Sequence, residues 1–172
     1  ITAGDPKSIN TEIIGKTWKI LKKKHRKKIF IIGNFNLIKK QLKQNKINIF
    51  LEKIVQLKAI NSSNVLYILD VPLNTNYVLN CVNLADKLAR KRKIQGIITC
   101  PINKKRVLKS RNPGLTEYLA KKNKISGSEV MMIFNKELSV VPITTHLKIK
   151  DISKKLKKSL IEKKIRVLNN FY

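Results

Sequence analysis

The sequence predicts an α/β protein, and three observations carry that prediction. VLYILDV, residues 65–71, reads as a strand that Pro72 terminates. From about Asn76 to Arg92, the residues Val78, Cys81, Val82, Ala85, Leu88 and Ala89 recur at helical spacing and form an amphipathic stripe. GIITC, residues 96–100, is an apolar run of the kind buried on both faces of a parallel sheet. Strand, helix and strand in that order make the βαβ unit.

The other elements follow from the same rules. Ile1-Thr2-Ala3 reads as a strand end and Gly4-Asp5-Pro6 as a turn. Ile14, Trp18 and Leu21 then share one helical face. The run from Lys28 to Asn34 is a short buried strand closed by Gly33, residues 36–45 are expected to be helical, and 47–51 extended. A loop over 61–64 leads into the 65–71 strand. Two further extended runs, VMMIF (130–134) and LSVVPIT (138–144), precede one long helix expected from Asp151 to the end. Its apolar positions Ile152, Leu156, Leu160 and Val167 require a surface to pack on, and no closing glycine or proline follows. With a first residue already inside a strand pattern, this marks the chain as an expected fragment of a longer protein.

Composition narrows the function classes. The 172 residues can bury a core unaided, and 42% of them are hydrophobic, a globular rather than disordered balance. No apolar run is long enough to span a bilayer. Two cysteines, Cys81 and Cys100, make no disulfide framework and fit a reducing cytoplasm. A formal charge of +28 invites a nucleic-acid reading. Against it, the lysines are scattered over expected solvent faces without interleaved aromatics, and no RNA-recognition, zinc-finger or GXXG pattern is present. The abundance of Lys, Ile and Asn fits an AT-rich coding sequence, so no specific nucleic-acid partner is expected. A positive field still gathers an anionic small substrate.

Three stretches carry chemistry. In TTHLKIKD, His146 stands between a β-branched strand and a helix, where α/β proteins gather functional groups. A lone histidine is more often a hydrogen-bonded structural residue than a ligand, and a catalytic metal site takes about three protein ligands. His25 is surrounded by Lys23, Lys24, Arg26 and Lys27, where a cation is repelled. In RNPGLTEYLAKK, Thr116 is expected at a helix N-cap, either as a plain cap or beside free N–H groups that attract an anion. In TCPINKK, Asn103 and Lys104 are presented where a strand ends; either ligand-facing groups or ordinary surface polarity accounts for them.

TAGDPKSINTE, TCPINK, PGLTEYLA, EVMMIF and TTHLKIKDI occur in this order over nearly the whole chain. Together they resemble the 4-hydroxythreonine-4-phosphate dehydrogenases of pyridoxal phosphate biosynthesis. The resemblance implies the layered α/β/α architecture of isocitrate and isopropylmalate dehydrogenases, truncated here, with residues 1–125 in the first lobe and 126–172 opening the second. It also implies NAD- or NADP-dependent oxidation of 4-phosphooxy-threonine, with decarboxylation to 3-amino-2-oxopropyl phosphate. A divalent metal (zinc, cobalt or magnesium) and a cytoplasmic homodimer belong to that expectation. By the same resemblance His146 is a metal ligand and Thr116 a substrate-binding residue. Leu115 stands at a substrate-binding histidine position, and Ser8 and Asn10 replace loop glycines. Two further metal histidines belong to a C-terminal half, so the fragment is expected to be inactive alone. The alternatives are a basic nucleic-acid-binding module and a catalytically dead relative that serves in dimerisation.

Overall fold

A computed structural model describes residues 1–57, 60–108, 114–145 and 147–171. They divide into two compact units, Ile1–Val107 and Leu108–Tyr172.

Unit 1 is built on parallel strands: β1 (Ile31–Gly33), β2 (Phe50–Ile54) and β3 (Val65–Asp70), in the order β1-β3-β2. The N-terminal residues extend this sheet. Thr2 bridges in parallel to Ile32 on one side and to Thr99 on the other, with Thr2 N–H donating to Ile98 O at 2.9 Å and Ile32 N–H to Ile1 O at 2.8 Å. Side chains alternate across the pleat and bury on opposite faces. Ile31, Leu66 and Ile68 meet Ile14 and Trp18 of α1 (Asn10–Ile20) and Ile38 and Leu42 of α3 (Phe35–Gln44). Ile32, Tyr67 and Leu69 meet Tyr77, Val78, Cys81 and Ala85 of α4 (Tyr77–Arg90). Helices on both faces of a parallel sheet are the expected α/β/α layering.

Close packing sets two details. A methyl group added at Gly15 of α1 would lie 2.6 Å from Leu42 Cδ2, so a hydrogen there lets α1 approach α3. Arg26, in the short α2 (Lys23–Arg26), lies over the Trp18 ring at 5.4 Å. The 47–51 strand is displaced: β2 starts at Phe50 and runs to Ile54, because Ile47 is buried beneath α1 and α3 instead. GIITC also differs from expectation. It is tied to the sheet on Thr2's side only, and Ile98 is 60% exposed, so the run forms a margin rather than a strand buried on both faces.

The chain crosses into unit 2 within α5 (Lys104–Leu108). Unit 2 then contains α6 (Leu115–Lys122), an antiparallel pair β4 (Ile133–Phe134) and β5 (Ser139–Val140), and helices α7 (Ile149–Lys155) and α8 (Lys158–Asn169). The single C-terminal helix is therefore two helices. Leu156 is extended, at φ −77° and ψ 106°, and its N–H closes α7 on Ile152 O. Such dihedrals lie outside the helical region, and the backbone turns before α8 begins.

Candidate functional site

In unit 1 the C-terminal ends of the parallel strands are held by polar side chains from distant segments. Gly4 has φ +71°, and a Cβ there would lie 2.7 Å from Pro101 O, so the opening turn requires glycine. Neither Ser8 nor Asn10 has a positive φ. These two residues hold the loop with side chains: Asn10 Nδ2 donates to Pro101 O at 2.8 Å and to Ala3 O at 3.2 Å, and Ser8 Oγ donates to Asp5 O at 2.6 Å. Asp5 accepts from Lys7 N–H and pairs with the Arg106 guanidinium. Asn103 Oδ1 accepts from Arg106 N–H at 3.1 Å and so caps α5, which gives Asn103 a structural role; Lys104 is exposed at the first position of that helix.

The neighbouring strand ends are equally occupied. Asp70 accepts from Phe35 N–H at 2.8 Å and pairs with Lys53 at 2.7 Å. Burial raises its carboxyl pKa, but the Lys53 ammonium and the Phe35 N–H outweigh this and hold it below the usual carboxylate range. The Tyr77 hydroxyl accepts from Asn34 N–H at 2.9 Å, and burial, reinforced by Cys81, raises its pKa. Burial pushes the Cys81 thiol up to about 12, so at neutral pH it is an inert thiol in the core.

Unit 2 contains a cavity of about 460 Å³. Thr116 enters it from α6, Thr144, Thr145 and Leu147 from the segment before α7, and Lys157 and Lys164 from the start and body of α8. Thr116 is the second residue of α6 rather than its cap. Gly114 occupies the cap position in extended backbone, and no side chain caps the helix, so the threonine hydroxyl is not committed to that task. Leu115 is half-buried at the first position of α6 and is not among the residues lining the cavity. His146 lies outside the described residues; its neighbours Thr145 and Leu147 line the cavity. A larger cavity, about 740 Å³, opens in unit 1 beside Phe30 and Ile94, at the N-terminal ends of the strands, the edge opposite to where parallel sheets bind ligands.

Two lining residues escaped the sequence reading. Glu129 contributes a buried Oε2 with no hydrogen-bond partner, and Lys164 is 8% exposed although a lysine. Glu129 gave no sequence signal beyond preceding the VMM run. Lys164 did give one: it falls four residues after Leu160, in the apolar register of α8, where a charged residue is out of place. The same positions bear on a metal. Among the described residues no group of three or more His, Cys, Asp and Glu side chains could hold an ion, and the cavity's Glu117 and Glu129 share it with four lysines. Those donors alone do not fit a divalent cation. Nor does any described loop carry a glycine-rich dinucleotide fingerprint.

Among curated proteins, 4-hydroxythreonine-4-phosphate dehydrogenase of Sulfurihydrogenibium sp. is 30% identical over 98% of this chain and 56% of its own length. The Aquifex aeolicus protein of the same name is 33% identical over 98% of this chain and 55% of its own. The chain thus spans about half the length of the curated relatives it matches. The crystal structure of 4-hydroxythreonine-4-phosphate dehydrogenase from Klebsiella pneumoniae superposes with a TM-score of 0.85 at 24% identity, over 99% of this chain and 57% of that one, which shows a shared fold. The sequence profile of the family described as "Pyridoxal phosphate biosynthetic protein PdxA" matches residues 8–172, and the chain belongs to that family.

Proposed function

We propose that this chain is part of an oxidoreductase of pyridoxal phosphate biosynthesis. The observation that carries the reading is the family match from residue 8 to residue 172, which includes Asn10 and Asn103 at the strand ends of unit 1 and the threonine-lined cavity of unit 2. The reaction proposed for the whole protein is NAD(P)-dependent, metal-assisted oxidation of the secondary alcohol of 4-phosphooxy-threonine, followed by loss of carbon dioxide to give 3-amino-2-oxopropyl phosphate. Within that protein we assign residues 1–125 to the first lobe and 126–172 to the start of the second. The assembly is a cytoplasmic homodimer in this reading; no described helix is long and apolar enough to cross a membrane.

The roles assigned to this chain are binding and orientation. Thr116, with no capping duty, offers its hydroxyl to the substrate from the wall of the cavity. His146 is assigned as one metal ligand, with the remaining ligands supplied from outside this chain. Leu115 can neither donate nor accept a hydrogen bond, so substrate binding at that position lacks the contact a histidine provides. The chain's net charge of +28 supplies a field that gathers a phosphorylated substrate.

The test is nicotinamide reduction followed by absorbance. The 172-residue chain alone is expected to show none. Joined to the C-terminal half of a relative such as the Aquifex aeolicus protein, it is expected to reduce NAD or NADP with 4-phosphooxy-threonine only when a divalent metal is present. His146→Ala in that chimera is expected to abolish turnover. A fully active His146→Ala enzyme contradicts the metal assignment, and an inactive, well-folded chimera contradicts the reaction.

A further inference from the structure

The opening loop of unit 1 is fastened to two other segments, and one fastening differs from the rest. On one side Gln41 of α3 donates to Pro6 O at 2.8 Å and accepts from the Thr11 hydroxyl at 2.6 Å. On the other side the loop meets residues 101–106. The backbone link there, Asp5 N–H to Pro101 O, is long at 3.3 Å, so side chains carry the contact. Asn10 bridges to Pro101 O from a position only 2% exposed, and its loss would be felt in folding. The Arg106 guanidinium reaches Asp5 from 101 residues away in sequence, and its side chain stays 49% exposed. An ion pair with one partner this exposed adds little to stability. It does decide where the Asp5 carboxylate, itself 10% exposed, is held.

We propose that Arg106 is a positioning residue that acts through Asp5. The pair latches the opening loop to the loop ahead of α5, so the carboxyl edge of the sheet meets its ligands with both loops already in place. Asp5 Oδ1 receives both the guanidinium and the Lys7 N–H, which fixes the carboxylate within its own loop as well as across to α5. Arg106 is in turn anchored at both ends. Its N–H donates to Asn103 Oδ1 in the loop ahead of α5, and its guanidinium donates to the opening loop. Open α/β sheets receive ligands at this edge, and loops held in one arrangement spare the reaction an ordering cost. The inference rests on the oxidoreductase reading for what the edge receives, whereas the latch itself is read from the loops.

The experiment has two readouts. In the chimera with the Aquifex aeolicus C-terminal half, Arg106→Ala is expected to lower kcat by about tenfold with KM within about threefold, the pattern of lost positioning. Arg106→Lys is expected to restore most of that loss, because the guanidinium touches Asp5 through Nη2 alone and an ammonium can imitate a single donor. Adding Arg106→Ala to Asp5→Asn is expected to cost no more than about twofold beyond Asp5→Asn alone, since the two residues act as one. Lys105→Ala removes an equal charge from the same helix and is expected to leave kcat within about twofold. In the 172-residue chain, amide exchange at Asp5 and Lys7 is expected to speed up about tenfold in Arg106→Ala and to recover in Arg106→Lys. Exchange unchanged by Arg106→Ala overturns the latch, whether or not the chimera turns over. Accelerated exchange with an unaltered kcat overturns the positioning role, and losses that add in the double variant overturn action through Asp5. A chimera inactive before any substitution contradicts the reaction, and the exchange rates then decide the latch by themselves.

Discussion

Units 1 and 2 place their apolar side chains differently. In unit 1 they alternate into two layers, and Ile31, Leu66, Ile68 and Cys81 are fully enclosed. In unit 2 the hairpin displays Ile133, Phe134 and Leu138 at 62%, 70% and 67% exposure, and only Leu108 and Ala120 are buried apolar residues among those described. The contrast is not one of composition, since both units are rich in isoleucine and leucine. It is one of pairing. Every described strand of unit 1 has a neighbour and helices on the sheet faces, whereas among the described residues β4 and β5 pair only with each other. A two-stranded hairpin without a third strand or a covering helix has little independent stability. The fold of unit 1 is therefore expected to carry the stability of the chain, while unit 2 contributes its cavity.

The largest effect should come from the two-sided core. Ile68→Ala removes a side chain with no solvent exposure from beneath α1 and α3, and is expected to cost about 2–5 kcal/mol in urea unfolding. A cost below 1 kcal/mol, roughly the scale of a surface substitution, would break the comparison by showing that the layer is loosely packed. Gly4→Ala comes next. The new methyl group meets Pro101 O and the Asn10 amide at φ +71°, and the expected loss is about 1–3 kcal/mol. Its partner experiment is Asn10→Ala, which removes the amide bridge to Pro101 and so separates strain from lost hydrogen bonding.

Titration sharpens the contrast from another side, because the shifted side chains Asp70, Tyr77, Cys81 and Cys100 all belong to unit 1. Cys81 and Tyr77 have raised pKa values in the folded state, so each favours folding below its unfolded value, about 8.5 for a thiol and 10 for a phenol. That stability is lost as pH rises from those values through the folded ones, up to about 12 for Cys81. Asp70 runs the opposite way. Its folded pKa is depressed, so its contribution is present above the unfolded value, about 3.9, and disappears as pH falls through the folded one. Cys81→Ala should flatten the alkaline limb of a stability profile, and Asp70→Asn the acid limb. Unchanged limbs in both variants would move the pH dependence out of this core.

The same division governs what the sequence disclosed. The layers of unit 1 were legible because period and burial agree there: Val78, Cys81, Val82 and Ala85 lie on the stripe and are buried. Local pattern failed where a side chain's fate depends on a distant neighbour. GIITC has the apolar character of a central strand, yet pairs on one side only. Residues from Asp151 onward have continuous helical propensity, yet the extended backbone at Leu156 divides them. At the candidate site, the motif points to Thr116, which lines the cavity, although its expected capping role belongs to no side chain. Asn10 was noted only as a replaced glycine, because its partners Ala3 and Pro101 lie 7 and 91 residues away in sequence.

The smallest expected effect tests the other half of the comparison. Phe134 is 70% exposed and its one strand partner is Ser139, so Phe134→Ser removes little that folding had taken out of water. Its cost in urea unfolding should stay within about 0.5 kcal/mol, while the solubility of the chain rises because an exposed aromatic ring is lost. Phe134 in the same chimera that tests the reaction provides the decisive contrast. If the added half covers β4, the substitution there should become a burial loss of about 2 kcal/mol or more, and the ring would then behave as the core residues of unit 1 do. A substitution that is costly in the 172-residue chain already would show that unit 2 closes its own core, and the distinction between the units would fail at its weakest point.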